Sequence, residues 1–239
     1  MGRAYEVRKL SKEKTGAIKA KTYSLFAKEI YLIAKTNPNI ESNSSLKRIV
    51  DKAKKSQVPA NIIERAIGKA KGNSNENYET VTYEGFGPGE STLIIKCLTD
   101  NINRTVGFIR GTFNKFDKSL GVNCSVSYNY DHLAIISIKS NEEEKIFELL
   151  LENNIEIIDI ENEEGYITIT AHPNDAHKIK DLLESIIPNI DYVVDEIGMY
   201  PKTKIKLSDE DKTIFEKLIK ILEESEDIVE IYHNVDIIE

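Results

Sequence analysis

From Leu133 to Ile197 the apolar periodicity changes between two and 3.6 residues in an order that few folds satisfy. LAIISIK (133–139) reads as a buried strand and EEEKIFELLLEN (142–153) as an amphipathic helix. IEIIDIE (155–161) and YITITA (166–171) are extended on either side of a turn at Asn162 to Gly165. NDAHKIKDLLESI (174–186) is helical again, and IDYVVDEI (190–197) closes the series as a strand. Strand, helix, strand, strand, helix, strand is the order of a split ferredoxin-like fold.

The flanks of this series are incomplete without each other. Before it, a strand at 92–99 leads into a helix from Ile102, with Val106, Ile109, Phe113 and Phe116 on one face, and then into an expected strand CSVSYNY at 124–130. After it come a segment at 197–206, a helix capped at Ser208 with Ile214, Phe215, Leu218 and Leu222 inside, and the strand DIVEIYHNV. Joining the two halves gives each helix a sheet to bury against. The chain is therefore expected to be α+β: a basic tail and three-helix domain over 1–77, a discontinuous domain over 78–131 plus 197–239, and an inserted domain over 132–196. In the head, Tyr23, Phe26, Ile30 and Ile33 mark one helix, and Leu46, Ile49, Val50 and Ala53 a second that Ser42 to Ser44 can cap. A third has Pro59 at its first position, Ile62, Ile63, Ala66, Ile67 and Ala70 on its buried stripe, and Gly72 at its end.

Charge divides the chain at the same place. Residues 1–71 hold 17 Lys/Arg and 6 Asp/Glu, a balance of +11, whereas 72–239 hold 15 and 34, a balance of −19. A concentrated cationic head gains affinity for a polyanion by releasing that partner's condensed counterions, so a polyanion is the expected partner for this end of the chain. At about 100° per residue, Lys47, Arg48, Lys52, Lys54 and Lys55 fall opposite the apolar face of the second helix. Upstream, RAYEVRKLSKEKTGAIKAK lacks apolar periodicity and carries Arg3, Arg8, Lys9, Lys12, Lys14, Lys19 and Lys21.

Enzyme signatures are missing from the sequence. YEGFGPGE (83–90) is rich in glycine but precedes a strand, with no Gly-Lys-Ser/Thr triplet, so it reads as a turn and not as a phosphate loop. His132, His172, His177 and His233 form no HExxH pair, and Cys97 and Cys124 lie in segments read as strands, as small buried residues. No catalytic residue, metal site or cofactor is expected, and nothing at the N-terminus has the apolar length of a signal peptide or membrane span. A cytoplasmic monomer is the default.

LTDNINRT (98–105) is the polar exception. At the start of the following helix, Asn101, Asn103 and Arg104 either present donors to a phosphate, or Asp100 or Asn101 caps the helix while Arg104 pairs with a carboxylate. Spacing leaves both open. Nearby, Tyr83 and Phe86 are candidates for stacking against bases or for packing in the core.

VTYEGFGPGE, LTDNINRTVGFIRGTFNK, IVEIYHNVDI and AKKSQVPANIIERAIGKAKG together resemble the YebC family, more closely its short-headed YeeN-like branch that begins Met-Gly-Arg. The resemblance covers nearly the whole chain. It implies an N-terminal helical domain and two α+β domains, the last inserted in the second. Family members are described as DNA-binding transcriptional regulators. Other relatives, including the mitochondrial translational activator of cytochrome c oxidase subunit I, point to ribosomes and to synthesis through proline-rich stretches. The partner implied is ribosomal or transfer RNA on the ribosome, or alternatively promoter DNA. The residues carried over are Arg3, Arg8, Lys9, Lys12 and Lys14 in the head, Lys54 and Lys55 on the second helix, and Asn101, Asn103 and Arg104. This chain has Tyr5 where the family usually has tryptophan, and Lys118, Ser119 and Cys124 in DKSLGVNCSV where relatives are richer in glycine.

Overall fold

In the computed structural model, which describes residues 19–72, 77–188 and 190–236, three helices come first: α1 (Lys19–Thr36), α2 (Ser44–Lys55) and α3 (Ala60–Lys71). Asn43, inside the expected capping window, accepts the Leu46 N–H at 3.0 Å and starts α2. Pro59 stands at the cap of α3, one residue earlier than expected, and Gly72 ends that helix. Ile30, Ala34, Leu46, Val50, Ala53, Ile63 and Ala66 form the shared apolar core, which is the periodicity of three amphipathic faces turned inward.

A four-stranded antiparallel sheet follows, in the order β3-β1-β2-β8, from β1 (Glu79–Phe86), β2 (Thr92–Thr99), β3 (Ser119–Leu120) and β8 (Ile228–His233). The helices α4 (Ile102–Asn114) and α7 (Asp209–Glu223) bury Ile109, Phe113, Phe215, Leu218 and Leu222 against Leu93, Ile95 and Cys97 on one face. Cross-strand partners share a face, so Tyr83, Ile95 and Ile231 belong to that core while Glu84, Ile94 and Tyr232 line the other. β2 is central, and all its residues but Lys96 are buried. The C-terminal segment completes this sheet. The Asn234 side chain accepts the Thr92 N–H at 2.8 Å, and Ile205 bridges to Val235.

The expected strand at 124–130 does not form. A short strand lies earlier, at Ser119–Leu120, and Ser127–Asn129 is a turn of 3-10 helix. The cause is Glu84, whose carboxylate takes the N–H groups of Cys124, Val126 and Ser127 at 2.9, 2.6 and 3.0 Å and so withdraws them from any ladder. Cys124 is accordingly exposed, not a buried strand residue.

The glycines of YEGFGPGE are explained by packing. A Cβ at Gly85 would lie 2.5 Å from the Phe113 ring, and Gly89 sits at φ +57° with Leu207 2.7 Å from where its Cβ would be. Gly85→Ala is expected to destabilise the fold by about 1–3 kcal/mol through overpacking. Chemical denaturation checks this, and an unchanged midpoint would show that Phe113 can move aside freely.

Residues 129–202 form a separate compact unit, and residues 19–128 with 203–236 the other. The inserted unit comprises β4 (Tyr130–Lys139), α5 (Glu143–Glu152), β5 (Ile157–Glu163), β6 (Tyr166–Ala171), α6 (Ala176–Ile186) and β7 (Tyr192–Pro201), all antiparallel in the order β5-β6-β4-β7. Ala134, Ile136 and Ile138 alternate along β4 and pack with Ile146, Leu150, Ile179 and Leu183 of the helices. Its first and third strands are central, as the strand-helix order requires. The architecture is α+β, with a helical N-terminal part and two antiparallel sheets, the second inserted in the chain path of the first.

Candidate nucleic-acid interface

The apolar stripe of α2 dictates where its cations go. Leu46, Val50 and Ala53 are buried, leaving Lys47, Lys52, Lys54 and Lys55 exposed and Arg48 half-buried. On α3 the same logic turns out Arg65, Lys69 and Lys71, which the sequence reading did not single out although Arg65 and Lys69 are one helical turn apart and off the apolar stripe. Between residues 44 and 72 there are eight Lys/Arg against Asp51 and Glu64 alone. The exposed Lys54–Asp51 pair, at 3.7 Å, offsets little of this charge.

Other cations serve the fold. Lys28 on α1 donates to the Glu226 carbonyl at 2.9 Å and pairs with Asp227 at 3.1 Å, both side chains being nearly buried. Lys21, one of the expected binding residues, donates to the Glu223 carbonyl at 2.7 Å, and burial lowers its pKa. These contacts tie α1 to the end of α7 and the start of β8.

Asp227 also receives the Asn-Arg motif. Asn101 caps α4 by accepting the Arg104 N–H at 3.0 Å, and the Arg104 guanidinium pairs with Asp227 at 2.8 Å and Asp100 at 2.7 Å. Thr105 donates its hydroxyl to Asp227 at 3.0 Å. Of the two alternatives at this helix start, these are the contacts of the capping one. Burial alone would raise the Asp227 carboxyl, but hydrogen bonds from Arg104, Lys28 and Thr105 outweigh it and hold the pKa below the ordinary range. Hydrogen bonds to Asp227 and then to Asp100 raise the pKa of Arg104. Asn103 remains exposed. Asp227 is only 8% exposed because three donors converge on it, and nothing local in sequence announces partners so distant.

A half-buried carboxyl, Glu29, lies on α1. Burial raises the pKa of Glu29, while the charges of Lys52 and Lys96 pull it down and Glu230 adds to the rise. Cys97 is buried, which, with the Asp227 charge, pushes its thiol up to about 12 and makes it unreactive.

The stacking candidates separate. Tyr83 packs against the core and burial raises its phenol pKa, whereas Phe86 is 44% exposed. Arg3, Tyr5, Arg8, Lys9, Lys12 and Lys14 lie outside the described residues, and Lys19 opens α1. Lys47, Arg48, Lys54 and Lys55 are thus brought together on α2, apart from Asn101, Asn103 and Arg104 on α4. Among the described residues no three His, Cys, Asp or Glu are grouped to hold a metal ion, and no helix is long and apolar enough to cross a membrane.

Known proteins share this layout. Residues 3–73 match the TACO1/YebC protein N-terminal domain, and residues 78–235 match the TACO1/YebC second and third domain. A protein of Acholeplasma laidlawii is 46% identical over 98% of both chains, and one of Alteromonas mediterranea is 40% identical over the same share. Both are named "Probable transcriptional regulatory protein". The crystal structure of a conserved hypothetical protein from Aquifex aeolicus superposes with a TM-score of 0.73 at 30% identity, covering 94% of this chain and 93% of that one. With residues 3–73 and 78–235 matching the two family models and relatives aligned along almost their whole length, the chain belongs to the TACO1/YebC family.

Proposed function

We propose that this protein is a non-enzymatic, cytoplasmic nucleic-acid-binding regulator, and that it acts as a monomeric RNA-binding translation factor on the ribosome, contacting ribosomal or transfer RNA and assisting synthesis through proline-rich stretches. The observation that carries nucleic-acid binding is the pair of neighbouring helices, α2 and α3, with eight cations against two acids and both apolar faces turned inward. Residues 1–77 would supply the contact, and the acidic domains over 78–131 plus 197–239 and over 132–196 would orient it. The choice of translation rests on the family's ribosome-associated members.

The second reading, a promoter-binding transcriptional regulator, is favoured by the names of the relatives. Ultraviolet crosslinking in growing cells, followed by sequencing of the attached RNA and DNA, separates the two. Ribosomal or transfer RNA enrichment is expected; discrete promoter peaks without it would reverse the ranking.

A charge-reversed variant, Lys54→Glu with Lys55→Glu, should bind any polyanion more weakly and flatten the dependence of log K on log salt by about two units or fewer. Its thermal midpoint should not change, since both side chains are exposed. Fluorescence titration of a labelled oligonucleotide at several salt concentrations checks this. Unchanged binding would take this face out of the interface.

A further inference from the structure

We infer that Phe86, Val122 and Tyr128 form a stacking platform for unpaired nucleic-acid bases, preorganised by the buried carboxylate of Glu84; this rests on the nucleic-acid reading above. The loop after β3 is built with unusual rigidity for a surface segment. One carboxylate, 8% exposed, binds three successive parts of it through the N–H groups of Cys124, Val126 and Ser127. The Glu84 carbonyl takes the Gly121 N–H at 2.9 Å, and the Val126 side chain is fully buried. Gly121 is required by close approach: a Cβ there would be 2.1 Å from Ser125 Oγ and 3.1 Å from Phe86 Cε2. Cys124 is held at φ +64°, a conformation that costs a residue with a Cβ and persists because the carboxylate fixes its N–H.

What this framework displays is apolar. Phe86 is 44% exposed, Tyr128 66% and Val122 79%. Glu84 and Phe86 are two apart on β1 and so share a face, which places the ring beside the loop that the carboxylate holds. Apolar side chains gathered on one held loop make the kind of exposed patch that marks an interaction site.

Charge selects the partner. Although residues 72–239 are strongly acidic as a whole, the stretch from Lys115 to Tyr128 carries Lys115 and Lys118 against Asp117 alone. Lys118 directly precedes Ser119, the residue paired with Phe86. Exposed rings with a lysine at the entry to their loop and the exposed amide of Asn123 are what single-stranded nucleic acids use: faces to stack on, charge for phosphate, and a group for base edges. Of the two aromatics expected to stack from sequence, Phe86 belongs to this platform and Tyr83 does not. Tyr128 takes its place.

The test uses the full chain and a single-stranded RNA dodecamer containing 2-aminopurine, titrated at several salt concentrations. Phe86→Ala and Tyr128→Ala should each weaken binding about tenfold, reduce the change in 2-aminopurine emission, and leave the salt slope unaltered, because stacking releases no counterions. Tyr128→Phe should bind as the parent protein does. If the double alanine variant keeps parental affinity and emission change, the platform is wrong and binding rests on the basic helices alone. If the parent protein binds neither this RNA nor a DNA of the same sequence at low salt, the nucleic-acid reading falls and the platform with it.

Discussion

Replacing Asp227 with alanine is expected to destabilise the unit that carries it by about 3 kcal/mol, because the nearly buried Lys28 ammonium keeps the Glu226 carbonyl but loses its charge partner, and the buried Thr105 hydroxyl loses one of its acceptors. Arg104 contributes less, since its side chain is about half exposed and keeps Asp100. For a chain of this size the loss lowers the thermal midpoint by about 6–12 °C. The effect depends on pH with a definite sign. The folded pKa of Asp227 is depressed, so its stabilisation is complete above the unfolded carboxyl value of about 3.9 and disappears as pH falls through the folded value. Calorimetry at pH 7 and at about pH 3 should therefore show a large gap between parent and variant at neutral pH and a smaller one in acid. An equal midpoint at pH 7 would mean that α1 is held to the sheet by apolar contact alone.

Glu84→Ala is the second large effect. Three charge-assisted hydrogen bonds from the backbone lie on one carboxylate, and they overcome the burial that would otherwise raise its pKa, holding it below the ordinary range. Removing it should cost about 3 kcal/mol, given about 1.5–3 for each bond to a charged group and partial rehydration of the freed amides. The local consequence is more diagnostic. The amides of Cys124, Val126 and Ser127 should exchange with deuterium at least about tenfold faster, while those of β2 are unchanged at low denaturant. Glu84→Gln, which keeps one acceptor oxygen, should fall between. Parental protection of the three amides in the alanine variant would show that the loop is fixed by Val126 and Gly121 without the carboxylate.

Much of this fold could be read without coordinates where a periodic apolar pattern met a clear stop. The order of elements from 130 to 201, the three head helices and their buried faces, and the dependence of 78–120 on the C-terminal segment all follow from burial of alternating or helically spaced residues. Where the expectation failed, a side chain from far away had taken over the backbone. CSVSYNY has strand composition, but Glu84, forty residues earlier than Cys124, claims three of its amides. YEGFGPGE suggested a turn, yet only the position of Phe113 explains why Gly85 admits no side chain.

The candidate site divides along the same line. Lys47, Lys54 and Lys55 were legible as a cationic face because a helix with a known apolar stripe leaves its other residues to water. Lys21 was not legible as structural and Arg104 only as one of two open readings, since a formal charge does not say which carboxylate or carbonyl will stand beside it. The amino-acid sequence by itself determined the class of fold, the insertion and the basic character of the head, because these depend on local periodicity and on charge counted along the chain. Only the tertiary structure decided that Asp227 gathers Lys28, Arg104 and Thr105, and that Phe86 stays at the surface while Tyr83 enters the core, because hydrogen bonds and packing across more than a hundred residues are set by geometry and leave no period in the sequence.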